Sequence, residues 1–101
     1  MKRLLLIVAA LASVSAPVLA KGAPPTADQK ADFLATCLKV APEAGELCRC
    51  KADAAMSLID TEFMAVVIAS MKGKDVPENL YDTYNDYIAR STAACGMGSA
   101  M

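Results

Sequence analysis

The sequence predicts an all-α fold, a small four-helix domain stapled by two disulfides. Apolar residues recur at helical spacing in four stretches separated by proline, glycine and capping residues. Four cysteines lie in a short chain that opens with an export signal, the setting in which paired cysteines become disulfides. No stretch reads as a strand with a visible partner strand; the run Val66-Val67-Ile68 is the nearest, and it sits inside a helical period.

The export signal decides how cysteine is read. Met1-Lys2-Arg3 is a positive head, Leu4 to Val14 is an apolar run too short to span a bilayer comfortably, and Val18-Leu19-Ala20 places small residues where a signal peptidase cuts. Residues 1–20 are therefore expected to be a secretory signal peptide, with an uncleaved single anchor as the alternative. Removing 20 of 101 residues leaves 81, one domain with no stable membrane anchor, exported to the periplasm or the extracellular space.

Charge and composition exclude several activities. Two of the ten Lys and Arg residues fall in the signal segment while all eleven Asp and Glu residues follow it, so the remaining chain carries a net charge of about −3. No basic run with interleaved aromatics is present, which argues against nucleic-acid binding. Histidine is absent, and with it the commonest general base and metal ligand. The expectation is a non-catalytic protein with no cofactor, no catalytic residue and no metal site.

Residues 21–26 read as a flexible leader. Thr26-Ala27-Asp28-Gln29 fits a capping box, and Phe33, Leu34, Cys37, Leu38 and Ala41 then mark a first helix over about 27–40. Pro42 to Gly45 reads as a turn, or else as the first turn of the next helix with proline at its tolerated first position. Leu47 to Ile59 is a second helix with Cys48, Ala52, Ala55, Met56 and Ile59 on one stripe. Asp60 or Thr61 caps a third, carrying Phe63, Met64, Val67, Ile68 and Met71 and stopped by Gly73. Pro77 and Glu78 open a fourth, whose inward face is read as Tyr81, Tyr84, Ile88, Ser91 and Cys95, with Gly96 as its stop and Tyr87 outward. The folded domain is thus expected over 27–96, with 97–101 a flexible tail.

The helical frame constrains the cysteines. Cys48 and Cys50 are two residues apart, about 200° around a helix axis, so they cannot bridge each other without unwinding a turn. Each must reach a different partner among Cys37 and Cys95. Two connectivities remain open, 37–48 with 50–95 and 37–50 with 48–95; matching axial levels across the 42–45 turn favours Cys50 for Cys37.

Other readings of the same residues compete. A thiol-redox pair or a soft-metal (copper) carrier would use Cys48 and Cys50, the first helped by the positive charges of Arg49 and Lys51, the second by Met97 or Met101. Asp75, Glu78, Asp82 and Asp86 form an acidic stripe; helix-start electrostatics and an Asp86–Arg90 pair account for it, and no calcium loop is present.

The pattern Phe33-Leu34-Ala35-Thr36-Cys37, ten residues, Cys48-Arg49-Cys50, then Leu58-Ile59, Thr61-Glu62-Phe63 and a late Cys95-Gly96 resembles a loose class of small exported bacterial four-cysteine helical proteins of unassigned activity. The resemblance covers nearly all of the chain after the signal segment. It implies helices tied by disulfides and brings no activity with it.

With catalysis disfavoured, the expected role is a binding or interaction module of the cell envelope. Helix three carries a second apolar strip, Ala65, Val66 and Ala69, beside its core stripe and flanked by Glu62 and Lys72. With Tyr87 it forms the candidate contact surface for an envelope protein or for self-association.

Overall fold

The computed structural model describes residues 22–96. Residues 1–21 and 97–101, on which the expected signal peptide, the first residue of the expected leader and the expected tail fall, lie outside the described residues. The chain forms helix α1 over Ala27–Val40, α2 over Gly45–Leu58, α3 over Thr61–Met71, a single 3-10 turn over Glu78–Leu80, and α4 over Tyr81–Ala94. The described residues are helices and their connections, without strands.

Local chemistry explains the well-defined ends. Thr26 Oγ1 accepts from Gln29 N, and Gln29 Oε1 accepts from Thr26 N, each at 3.0 Å, so α1 begins with a complete capping box. Asp60 caps α3 by accepting from Phe63 N at 2.8 Å, a bond buried from water. Gly73 ends α3 in the left-handed region at φ 98°, where its amide bonds the Ser70 carbonyl and the Lys74 amide bonds the Ala69 carbonyl. That pair of bonds is a Schellman closure, which glycine forms without Cβ strain.

Two ends differ from expectation. Helix α2 starts at Gly45, two residues early, because the Cys48 amide already bonds the Ala44 carbonyl with no side-chain cap to announce it. Pro77 and Glu78 open a 3-10 turn, closed by Leu80 N on Pro77 O at 2.9 Å, before α4 begins. The described part of the leader, from Gly22, is also tied down. The Ala23 carbonyl accepts from Thr61 N at 2.8 Å, and Pro25 is buried.

The core is Phe33 of α1, Ala52, Ala55 and Ile59 at the α2 side, Phe63, Met64, Val67 and Ile68 of α3, and Tyr87 of α4. Helix α1 packs on both α2 and α3, while α4 packs chiefly on α2. The expected face of α4 is rotated. Tyr87 is 1 % exposed and Ser91 fully buried, whereas Tyr81 is 50 % and Ile88 37 % exposed. Tyr84, Tyr87 and Ser91 are also spaced three and four residues apart, so the sequence allows both faces. The observed one seats the large Tyr87 ring against Phe63. Met64 lies in the core, while Met56 and Met71 are half-buried.

Candidate functional site

Cys37 bridges Cys48 and Cys50 bridges Cys95, with Cα–Cα distances of 5.7 and 5.9 Å. The pairing of Cys37 with Cys50, favoured from axial levels, is corrected, and the cause is the early start of α2. With α2 beginning at Gly45, Cys48 lies three residues inside its helix and Cys37 three residues before the end of α1, so these two share a level. Cys48 also belongs to the buried α2 stripe with Ala52 and Ala55, facing α1. Cys50 points around the helix toward α4. Arg-flanked Cys48 and Cys50 therefore belong to different bridges, and no cysteine is free. Carrier chemistry at these sulfurs would require both bridges to be opened first.

Beside the second bridge, Lys51 Nζ donates to Thr92 Oγ1 at 3.1 Å across the α2–α4 contact. Burial penalises the charged amine and holds its pKa below the ordinary lysine value. Eight residues earlier on α4, Tyr84 shares a hydroxyl–hydroxyl bond of 3.0 Å with Ser70 that joins α3 to α4.

Tyr87 does not belong to any contact surface; it is a core residue. Its hydroxyl is buried and bonds no other protein atom. Burial pushes its pKa up to about 12. The neighbouring Ser91 hydroxyl softens that shift, and the Tyr84 phenol adds to it, but Ser91 directs its proton to the Ile88 carbonyl at 3.2 Å and leaves Tyr87 Oη without a bond of good geometry.

The α3 strip is split by the packing. Ala65 is exposed, Val66 is half-buried against the core and Ala69 is half-buried. Ala65 and Ala69 help line a shallow cleft of about 320 Å³ between α1 and α3, together with Ile68, Gln29, Asp32, Lys72 and Lys74. Its floor is small and apolar because two alanines a turn apart leave the α3 surface low. Its rim is polar: Lys72 Nζ meets Asp32 Oδ2 at 3.3 Å, joining the two helices across the cleft, while Gln29 closes one end. Sequence reasoning found the alanines. It found Lys72 only as a flank of that strip and Gln29 only as a cap, and it missed Asp32 and Lys74, whose convergence depends on how α1 and α3 lie against each other.

Of the acidic stripe, Asp86 pairs with Arg90 at 2.9 Å, while Asp75, Glu78 and Asp82 are exposed without an ion pair. Among the described residues no group of three or more His, Cys, Asp or Glu side chains is placed to hold a metal ion. Met97 and Met101, the thioethers of the copper reading, lie outside the described residues. No described helix is long and apolar enough to cross a membrane, and the two disulfides are consistent with an oxidising, exported location.

No protein-family model, curated protein or solved structure matches the chain.

Proposed function

We propose that this chain is a non-catalytic interaction module of the cell envelope, exported to the periplasm or the extracellular space, whose α1–α3 cleft receives a segment of a partner protein. The observation that carries the reading is the cleft itself, an apolar floor of Ala65, Ile68 and Ala69 within a rim of Gln29, Asp32, Lys72 and Lys74. Such a floor contributes desolvation energy and such a rim contributes orientation, the division found in protein contacts. The Gln29–Thr61 bonds and the Lys72–Asp32 ion pair hold α1 against α3, while a disulfide fixes α1 to α2, and this fixed geometry lowers the ordering cost of binding.

The test places a photo-activated cross-linking residue at position 65 and looks for a discrete adduct in the native envelope. Ala69→Arg fills the cleft from a half-buried position and should abolish the adduct while far-UV circular dichroism stays unchanged. An adduct that survives Ala69→Arg in a folded protein would place the contact elsewhere. Val66→Asp is less informative, because Val66 packs against the core and its carboxylate would destabilise the domain.

A further inference from the structure

A second surface, sharing no residue with the cleft, is formed by the outward flank of α4. Tyr81 and Ile88 are two of the three large apolar side chains most exposed among the described residues, Val40 being the third. They stand seven residues apart on one helix, hence on one side of it and about 10 Å apart along its axis. That interval is one heptad, the repeat at which a second helix laid alongside would present its own apolar side chains. Isolated exposed apolar residues are common on protein surfaces. Here two fall in register, and the charge around them is one-sided.

Between Lys74 and Arg90 the chain has no basic residue but four acidic ones, Asp75, Glu78, Asp82 and Asp86. Among the described residues only Asp86 of these four is in an ion pair, with Arg90 one turn on. Glu78 and Asp82 lie in the turns that also carry Tyr81, exposed and without an ion pair. Lys51 of α2, the lysine that meets α4, is turned to Thr92 at the far end of the helix, and Lys72 is turned to Asp32 of α1. The helix-start dipole accounts for carboxylates in the first turn. It does not account for an exposed tyrosine and isoleucine in line with them. We infer that this flank docks a basic amphipathic helix of a partner protein, whose apolar side chains cover Tyr81 and Ile88 while its lysines or arginines meet Glu78 and Asp82. Such a partner supplies both the apolar area and the opposite charge, the combination by which helices are recognised on helical surfaces.

The experiment titrates the purified oxidised protein with a synthetic helical peptide bearing leucines at positions i, i+3 and i+7 and lysines between them. A scrambled peptide of the same composition controls for charge alone. Saturable binding is expected, with NMR shift changes along α4, at least tenfold weaker for the scrambled peptide. Ile88→Ser should weaken binding about tenfold, the loss expected for one interface anchor. Glu78→Gln with Asp82→Asn should flatten its salt dependence, and Ala69→Arg should leave it unchanged. Should Ile88→Ser disturb the circular dichroism, Tyr81→Ser at the more exposed position replaces it. Equal binding of both peptides, or shift changes away from α4, would overturn the inference. So would concentration-dependent dimers that Ile88→Ser dissolves, which would make the occupant a second copy, or binding to vesicles of anionic phospholipid, which would make it a membrane surface.

Discussion

Tyr87 stands edge-on to Phe63, ring centroids 6.4 Å apart and planes inclined by 73°, and this contact joins α4 to α3 at the centre of the core. The ring is well placed and the hydroxyl is not. Edge-to-face pairs contribute about 0.5–1.5 kcal/mol beyond their buried area, whereas a buried donor without a protein partner costs about 1–3 kcal/mol.

Removing the hydroxyl alone should therefore help. Tyr87→Phe keeps the ring contact and deletes the unbonded group, and a gain of about 1 kcal/mol in urea unfolding is expected. A loss of that size would show that the hydroxyl is bonded in solution.

The same phenol gives the fold an alkaline weakness. Its folded pKa, about 12, lies above the ordinary value of 10, so the folded state holds the proton after the unfolded chain has released it. Its contribution to stability is complete below pH 10 and is lost as the pH rises toward 12, amounting to roughly 2–3 kcal/mol. Stability measured between about pH 9.5 and 11.5 should fall more steeply for the native sequence than for Tyr87→Phe. Parallel curves would refute the assignment.

The two bridges can be read chemically. Cleavage by trypsin after Arg49 and Lys51 separates Cys48 from Cys50, so the oxidised digest should contain Cys37 linked to Cys48 and Cys50 linked to Cys95. The longer bridge spans 45 residues against 11. Replacing Cys50 and Cys95 together by alanine should cost about 4 kcal/mol in the chain-entropy account, a large share of what so small a domain has. A cost within error would mean that Tyr84, Tyr87 and Ser91 hold α4 without the tether.

What was legible in the sequence follows how local each cause is. The ends of α1 and α3 are set by Thr26, Gln29, Asp60 and Gly73 acting on their immediate neighbours, and all four were readable. Helix α2 begins at Ala44-Gly45 with no capping side chain, and an error of two residues there carried the Cys37 pairing with it. The rotation of α4 was not readable, because Tyr87 and Ile88 are adjacent and the choice between them is made by Phe63 and the Cys50 bridge, both on other helices. Ala65 and Ala69 could be named as surplus apolar surface. The rim of Asp32, Lys72 and Lys74 that makes a cleft of them exists only once α1 and α3 are packed.

Gln29 is the residue whose role grew most between sequence and structure. Its Oε1 accepts from Thr26 N within α1 and from Thr61 Oγ1 at the start of α3, and its Nε2 donates to Thr61 O at 2.9 Å. One side chain thus caps α1 and fastens it to α3, 32 residues on, at one end of the cleft. Thr26→Ala removes only the cap and should cost about 1 kcal/mol. Gln29→Ala also strips two partners from Thr61 and should cost about 2 kcal/mol. The difference should appear locally as well: hydrogen exchange at the Thr61 and Phe63 amides, bonded to the Ala23 carbonyl and to Asp60, should quicken in Gln29→Ala and stay near native in Thr26→Ala. Equal losses with equal exchange would reduce Gln29 to a helix cap. A larger loss with faster exchange at the start of α3 identifies it as the tie that keeps the two walls of the cleft together.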